Sequence, residues 1–370
     1  MIQFTVRIEI VSQLITDIVK KRIEYSFNKI NNFYLFDMKK SKVIVLGSLA
    51  FDYIMTFSEK FINAVTIDHE KEEYQSTITA EDKEQFFGGT AGNIAYNLGL
   101  LNAVDVSIFG VVGKDFESLG YKDHISRFKN IELNVDIHEN SFTACCYIVN
   151  DIKANQMIIF HGGALDKCKD LNLKEKIDNP EDYIYAINST QSIDAMENFA
   201  NQLHELGIPM IFDPGQVTPL FPKEILMDVI KKSEILIGNN YEIGQVISKI
   251  GRDKHSLLKY LKALIITRGE QGSELIYKDE SNKIHDFTVP IVKPRAIVDT
   301  TGAGDGYRAG ILTGLILNMT LLDSCRLGSV ISSFVVETQG AQTHSFDILD
   351  VRKRFYESFG YIPKEIARLK

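Results

Sequence analysis

The segment VDTTGAGDGYRAG, residues 298–310, carries the sharpest chemical signal, because a strand-like run leads into small residues at the start of a helix. Gly302, Ala303 and Gly304 have no bulky side chains, so their backbone N–H groups could close around an anion at the positive end of the helix dipole. Asp305 follows directly and could accept the proton of an attacking hydroxyl while the amides stabilise a transferring phosphoryl group. The alternative is that Asp305 only caps the helix in a glycine-rich turn.

A second candidate segment is FFGGTAGNIAYNLGLL, residues 86–101, where paired glycines precede a helix. Gly88 and Gly89 allow close approach of the backbone to a ligand, and Asn93 lies in the first turn. An amide side chain both donates and accepts hydrogen bonds, which suits a polyhydroxylated ligand. The alternative is a tight turn followed by a capping Asn.

The elements that must position these segments follow an α/β pattern. Apolar runs at 43–46 and 106–112 predict buried strands, and beyond residue 180 strands alternate with helices as βαβ units of a parallel sheet require. Two stretches, residues 53–87 and 131–160, alternate loosely between apolar and polar residues, and they predict a small antiparallel sheet inserted into the larger body. The later strands are YIYAIN, PMIFD, EILIG and ALIIT, and a Thr320/Asp323 capping pattern starts a late helix.

Composition indicates a folded protein and disfavours several classes of function. Of 370 residues, 45% are hydrophobic and 24% are charged, which is ordinary globular usage. The net charge of −8, without a basic stripe, disfavours nucleic-acid binding, and no run of 18 apolar residues is present to span a membrane. The four cysteines lack C-x-x-C spacing, so we expect reduced packing residues of a cytoplasmic protein rather than a metal site.

The first 37 residues differ from the rest of the chain. They are rich in Ile, Asn and Lys and contain no Gly or Pro, whereas Met38 opens MKKSKVIVLGS directly before the first strand. We therefore divide the chain into an extension, residues 1–37, and a main domain, residues 38–370. The extension is either an upstream-start artefact or a loosely attached arm, and it receives no function.

The two glycine-rich segments together resemble the signatures of the ribokinase-like (PfkB) family of small-molecule kinases, G-G...N followed by D-T-x-G-A-G-D. The resemblance extends from about Ser41 to about residue 360. It implies a ribokinase-like α/β fold, with a central mostly parallel sheet flanked by helices and a small β-sheet lid, and it implies ATP and Mg²⁺ as cofactors. Asp305 is then the catalytic base beside an anion hole, and the implied substrate-binding residues are Asp52, Gly88, Gly89 and Asn93.

Three further segments match the same family. Asn239 and Glu242 fit its N-x-x-E element, which is associated with Mg²⁺ and phosphate, and Asp52 in GSLAFD matches an aspartate that binds sugar hydroxyls. TRGEQG, residues 267–272, fits the nucleotide loop through Thr267, Gly269 and Gly272. Each segment also has a simpler interpretation: a helix cap for Asn239 and Glu242, a solvated turn residue for Asp52, and a hairpin turn for residues 267–272.

Several details resemble the prokaryotic adenosine and nucleoside kinases more than the sugar kinases. Arg308 follows the aspartate of GAGD, and Thr90 replaces the Lys of the ribokinase pattern. Asp52 and Asn93 could then hold the ribose 2′ and 3′ hydroxyls, leaving the 5′ hydroxyl facing Asp305. Other similar segments are residues 143–165, 211–216 and 335–345.

The resemblance implies ATP-dependent phosphoryl transfer to a nucleoside, with adenosine as the first candidate. The rivals are a sugar kinase for ribose or another furanose and a catalytically silent nucleoside sensor. Tyr147 and Phe160 are candidate base stackers, although aromatic residues in alternating strands more often pack in the sheet. A late loop around Gly340, with Asp299 and Thr301, is associated in the family with a monovalent cation. The loop departs from the sugar-kinase pattern, which leaves K⁺ binding open. A lid edge can pair two subunits in this family, so the resemblance allows either a monomer or a homodimer.

Overall fold

The structure is a computed structural model that describes residues 42–68, 73–153 and 155–369. The predicted N-terminal extension, residues 1–37, lies outside the described residues. The strands in this part of the chain are β1 (Lys42–Leu46), β2 (Ala50–Thr56), β3 (Val65–Asp68), β4 (Glu73–Ser76), β5 (Asp82–Gly88), β6 (Asp105–Gly113), β7 (Ile131–His138), β8 (Ala144–Asn150), β9 (Gln156–His161), β10 (Tyr183–Asn188), β11 (Met210–Phe212), β12 (Ile235–Asn239), β13 (Ala263–Thr267), β14 (Ser273–Lys278) and β15 (Ile284–Val289).

The α-helices of the described residues flank these strands. Among them, none combines the length and the apolar run needed to cross a bilayer. In chain order the helices are α1 (Thr90–Leu101), α2 (Tyr121–Ser126), α3 (Leu173–Lys176), α4 (Ile193–Leu206), α5 (Lys223–Lys231), α6 (Asn240–Ile250), α7 (Ala303–Ile316), α8 (Leu321–Val335), α9 (Ile348–Phe359) and α10 (Lys364–Ala367).

A nine-stranded sheet forms the centre of the molecule, in the order β15-β14-β13-β12-β11-β10-β1-β6-β7. All neighbouring strands from β13 to β7 pair in parallel, whereas β14 pairs antiparallel with both β13 and β15. The strands predicted from YIYAIN, PMIFD, EILIG and ALIIT are confirmed as β10 to β13. The mostly parallel α/β sheet predicted from the sequence is therefore confirmed.

Helices cover both faces of this sheet, which explains why its strands are continuous apolar runs rather than alternating ones. Along β1, Ile44 and Leu46 pack into one core, whereas Val43 and Val45 pack into the other, because successive side chains point to opposite faces. Residues of α4, α5 and α6 complete the first core, and residues of α1 and α7 complete the second.

The small sheet contains four strands in the order β5-β2-β8-β9. The prediction of an antiparallel sheet was wrong in one pairing, because β2 and β8 run parallel. The prediction that residues 131–160 belong to it was also wrong in part, since β7 pairs with β6 at the edge of the large sheet. Ile131, Leu133 and Val135 pack against the core there, and alternation alone cannot tell which sheet receives such an apolar face. Residues 53–87 also contain the separate β3–β4 pair.

Helix α8 starts where the capping pattern predicted it. The Thr320 side chain accepts a hydrogen bond from the backbone N–H of Asp323 at 3.1 Å, which satisfies a donor that the helix leaves unpaired. Helix α8 packs against α7, the helix that follows the glycine-rich segment.

Candidate active site

A cleft of about 680 Å³ opens where strands of the large sheet end and α7 begins. Asn239 ends β12 and Thr267 ends β13, and because these strands are parallel, both residues lie at the carboxyl-terminal edge of the sheet. Ligands of open α/β sheets bind at this edge. The sequence-predicted residues that line the cleft are Asn239, Glu242, Thr267, Gly269, Gly272, Gly302, Ala303, Gly304 and Asp305.

The glycine-rich turn at the start of α7 has the backbone that an anion site needs. Gly302 precedes the helix at φ +78°, a left-handed conformation that favours glycine, and a Cβ there would lie 2.6 Å from the Ala341 Cβ. The N–H of Ala303 donates to the Thr300 carbonyl oxygen at 3.2 Å. In the described part of the chain, the N–H groups of Gly304 and Asp305 have no protein acceptor. These two amides are therefore available to an anion in the cleft.

Asp305 lies in the first turn of α7, and its carboxylate does not cap the helix. Its Oδ2 accepts a hydrogen bond from Asn93 Nδ2 at 2.8 Å, which joins the two glycine-rich segments of the sequence. The simpler interpretation of Asp305 as a helix cap was therefore wrong. Burial raises the pKa of Asp305 to about 7, with further upward contributions from Asp213 and Asp52, while Arg308 and Asn93 act in the opposite direction.

Arg308 and Asp213 form a buried ion pair on the floor of the cleft. Arg308 Nε lies 2.5 Å from Asp213 Oδ2, and Nη2 donates to Oδ1 at 2.6 Å. Burial by itself would lower the pKa of Arg308, but Asp213 raises it above its ordinary value, so the guanidinium stays charged. A Cβ on Gly304 would lie 2.6 Å from Arg308 Nη1, which places this cation beside the exposed amides. Sequence reasoning noted Arg308 only as a resemblance and assigned Asp213 no role.

Asn239 and Glu242 form a reciprocal cap at the start of α6. Asn239 Oδ1 accepts from the Glu242 N–H at 2.9 Å, and Glu242 Oε2 accepts from the Asn239 N–H at 2.7 Å. Burial raises the pKa of Glu242, and Asp213 adds to the increase. The capping interpretation is therefore confirmed. Among the described residues, no cluster of three His, Cys, Asp or Glu side chains could hold a metal ion.

The TRGEQG segment is a hairpin turn that also lines the cleft. It connects the antiparallel strands β13 and β14, and the Arg268 N–H donates to the Gly272 carbonyl oxygen at 2.8 Å. Gly269 and Gly272 have φ values of +55° and +80°, and a Cβ on Gly272 would lie 2.1 Å from the Val289 carbonyl oxygen. The turn therefore needs both glycines, and its backbone faces the cleft without intervening side chains at these positions.

Asp52 and the paired glycines meet where β2 pairs with β5. A Cβ on Gly88 would lie 2.2 Å from Asp52 Oδ2, and one on Gly89, at φ +84°, would lie 2.4 Å from the Ser48 carbonyl oxygen. Burial raises the pKa of Asp52 to about 6, with a contribution from Asp299. These residues do not line the cleft itself, but Asp52 is close enough to raise the pKa of Asp305. Asp52, Gly88, Gly89 and Asn93 are together named the polar annex, and they lie beside Asp305.

The late loop contacts the glycine-rich turn from outside the cleft. Gly340, at φ +81°, donates its N–H to Asp299 Oδ2 at 2.9 Å, and Asp299 Oδ1 accepts from the Thr301 N–H at 2.9 Å. Gly340 is not among the residues that line the cleft. Asp299 therefore ties this loop to the turn before α7.

The two candidate base stackers have different surroundings on the small sheet. Tyr147 stacks on Tyr53 with ring centroids 5.1 Å apart, which agrees with the packing interpretation. Phe160 lies on β9 and is 56% exposed. A Phe160 ring in this position is accessible to a ligand or a partner.

The architecture and the position of the cleft define a ribokinase-like α/β protein. The crystal structure of Methanocaldococcus jannaschii nucleoside kinase, an archaeal member of the ribokinase family, matches with a TM-score of 0.76 at 28% identity, covering 86% of this chain and 99% of that one. Burkholderia thailandensis nucleoside kinase in complex with inosine matches with a TM-score of 0.72 at 29% identity, covering 87% of this chain and 99% of that one.

The chain belongs to the PfkB family, because the model described as "pfkB family carbohydrate kinase" matches residues 51–348. At the sequence level, the M. jannaschii nucleoside kinase is 30% identical over 310 residues, 83% of this chain and 94% of that protein. A nucleoside kinase of Methanothermobacter thermautotrophicus is 30% identical over 327 residues, 87% of this chain and 97% of that protein. The resemblance stated from the motifs is confirmed.

Proposed function

We propose that this protein transfers the γ-phosphoryl group of ATP to the 5′-hydroxyl of a nucleoside, with adenosine as the first substrate to test. The observation that carries the proposal is the position of Asp305, a buried carboxyl beside two free backbone amides at the end of the cleft. The nucleoside kinases among its relatives support the substrate class.

Asp305 is proposed to accept the proton of the attacking hydroxyl. With a pKa of about 7, the carboxyl is near the balance between basicity and ionisation that a general base needs at neutral pH. The amides of Gly304 and Asp305, together with Arg308 Nη1, then face charge that develops on the transferring group. The anion hole predicted for Gly302, Ala303 and Gly304 is thereby revised, because the Ala303 N–H is taken by the Thr300 carbonyl oxygen, whereas the Asp305 N–H and Arg308 are added.

The substrate ribose is proposed to bind in the polar annex. Asp52 can accept hydrogen bonds from the 2′ and 3′ hydroxyls, and Asn93 has a second N–H beyond the one given to Asp305. The close approach of Gly88 to Asp52 leaves no room for a side chain between them. Closure of the small sheet over this annex is proposed to exclude water that could otherwise accept the phosphoryl group.

ATP is proposed to bind in the cleft of about 680 Å³, whose lining includes the backbone of Gly269, Gly272, Gly302 and Gly304. Bound ATP supplies the phosphoryl group, and Mg²⁺ neutralises its phosphate charge. Since no described side-chain cluster could hold a metal alone, Mg²⁺ is proposed to arrive with the phosphates, near Glu242 and Asp213. Asp299 and the loop around Gly340 remain the proposed site for K⁺.

A sugar kinase is the second candidate, since a ribokinase of Lactococcus lactis is 25% identical over 323 residues, 86% of this chain and 98% of that protein. The end of the cleft that contains Asp305 and the free amides would suit a nucleoside or a sugar, because both can present a primary hydroxyl to Asp305. A silent nucleoside sensor would need neither the buried carboxyl nor the free amides.

The test is an ADP-release assay with ATP and Mg²⁺ against adenosine, inosine, guanosine, cytidine, ribose and fructose 6-phosphate. We expect turnover on a nucleoside, and a loss of about 10²- to 10⁴-fold in Asp305→Asn because the general base is removed. ATP binding by calorimetry is expected to persist in this variant. Turnover on sugars alone would replace the proposal by the second candidate, and equal turnover in the variant would refute the role of Asp305.

A further inference from the structure

A chain of buried polar side chains continues from Asn93 away from the cleft. Asn93 Oδ1 accepts from Gln342 Nε2 at 2.9 Å, and the same nitrogen donates to the Tyr121 hydroxyl at 3.0 Å. Gln342 Oε1 lies 3.1 Å from His124 Nε2. Gln342 is only 3% exposed, and it belongs to the loop between α8 and α9. Neither the proposed chemistry nor the family motifs assign it a role.

The surroundings of Gln342 determine which end of its amide points towards Asn93. The Tyr121 hydroxyl donates its only proton to the Gly88 carbonyl oxygen at 2.6 Å, so it can only accept from Gln342. The Gly88 carbonyl oxygen is also within 3.5 Å of Gln342 Nε2. A carbonyl oxygen at this position would face acceptors alone, so the NH₂ group must lie there.

His124 fixes the other end of the same amide. Burial lowers the pKa of His124 to about 4, so the ring is neutral at physiological pH and carries one proton. Because Gln342 Oε1 can only accept, that proton lies on Nε2. The ring is also held by stacking on Phe87, with centroids 4.1 Å apart.

The orientation of Gln342 decides the orientation of Asn93. Since Gln342 donates to Asn93 Oδ1, Asn93 must present Nδ2 to Asp305, and an N–H donor stabilises an ionised carboxylate. If the Asn93 amide were turned over, its oxygen would face Asp305 and would favour the protonated acid, which cannot accept a proton. The orientation of the Asn93 amide matters because Asp213 and Asp52 already raise the pKa of Asp305.

The charged and hydrogen-bonding groups that shift the pKa of Asp305 come from four elements. Arg308 on α7 and the Asn93 donor on α1 lower its pKa, whereas Asp213 after β11 and Asp52 on β2 raise it. Tyr121 on α2 is also near, but burial raises its pKa so far that it stays neutral. With burial also acting upward, the Asn93 hydrogen bond is one of two contributions that lower the pKa of Asp305.

We propose that Gln342 is a positioning residue that holds Asn93 in the orientation favouring the proton-accepting form of Asp305. The inference rests on the proposed role of Asp305 as the base. It connects the loop after α8, helix α1 and helix α7 through side chains that are far apart in the sequence. Gln342 is not among the residues that line the cleft, and it would act through Asn93.

The test measures kcat/KM between pH 5.5 and 9.5 for the wild type and Gln342→Met, whose side chain has similar length and cannot donate to Asn93. We expect the acidic limb of the profile to move to higher pH. A shift of one pH unit lowers the rate at pH 6.5 about eightfold and leaves the rate at pH 9 within about twofold of the wild type. Gln75→Met is the control, because Gln75 is an exposed residue of β4 that does not line the cleft, and its limb is expected to stay in place.

His124→Phe is the second variant, since phenylalanine keeps the stacking on Phe87 and removes the donor to Gln342. It is expected to move the limb in the same direction by a smaller amount. Thermal unfolding identifies which variants are folded, and an unmoved limb in folded Gln342→Met, or in folded His124→Phe if the first variant does not fold, overturns the inference. Activity lost equally at every pH also overturns it. Failure of the proposed function is distinct, because it is seen as the absence of nucleoside turnover in the wild type.

Discussion

The pH dependence of kcat/KM is the most direct consequence of the carboxylates around Asp305. We expect the wild-type rate to rise with pH along a limb centred near pH 7, because Asp305 must be ionised to accept a proton and its pKa is about 7. At pH 6 about 9% of Asp305 is ionised and at pH 8 about 91%, which corresponds to a roughly tenfold difference in rate.

Asp213→Asn perturbs this limb in a direction that the structure specifies. Asp213 raises the pKa of Asp305, so its removal is expected to move the limb to lower pH and to increase the relative rate at pH 6. The substitution keeps an oxygen that can accept from Arg308, so the guanidinium can remain in place.

The assay is coupled ADP release with the best nucleoside, measured as kcat/KM because that ratio reports the free enzyme. Asp228→Asn is the matched control, since Asp228 on α5 pairs with Lys232 just after that helix and does not line the cleft. Its limb is expected to coincide with that of the wild type. A limb in Asp213→Asn that stays near pH 7 or moves to higher pH would refute the electrostatic reasoning.

Three further predictions concern single contacts. Gly88→Ala places a Cβ 2.2 Å from Asp52 Oδ2, so we expect a higher KM for the nucleoside with the KM for ATP little changed, as steady-state kinetics will show. Gly302→Ala forces a left-handed conformation and a contact with Ala341, and is expected to lower the free energy of unfolding in urea by at least about 1–2 kcal/mol together with kcat. A variant with unchanged kcat would contradict the role of that turn. Thr320→Ala removes the α8 cap and is expected to cost about 1 kcal/mol in the same urea experiment while leaving the pH profile unchanged.

The elements that sequence reasoning identified correctly were those whose local signals agreed with their final environment. The apolar runs of β10 to β13 predicted buried parallel strands because both faces of the sheet are covered. The assignment of β7 failed because Ile131, Leu133 and Val135 form an apolar face that either sheet could bury. The parallel pairing of β2 with β8 depends on chain topology, which alternation does not encode.

The candidate site was predictable to the extent that its residues lie in glycine-rich segments. The contact between Asn93 and Asp305 joins two such segments, and both were singled out. Asp213 and Gln342 lie in segments that were noted only for their overall resemblance to nucleoside kinases, and neither residue was assigned a role. Their importance arises from the partners that the fold brings to them, Arg308 in one case and Asn93 in the other. The resemblance of residues 335–345 marked the segment that contains Gln342, but it did not single out that residue.

The hydrogen bond between Asn93 and Asp305 also has a consequence for biosynthesis. It closes a loop of 212 residues, so Asn93 leaves the ribosome long before its partner exists. At a translation rate of about 5–20 residues per second, α7 is synthesised roughly 10–40 s after α1. During that interval the buried face of α1, including Ile94 and Leu98, has no α7 to cover it, and the nascent chain has no complete site. Chaperone capture during translation is therefore expected to concentrate between the synthesis of these two helices.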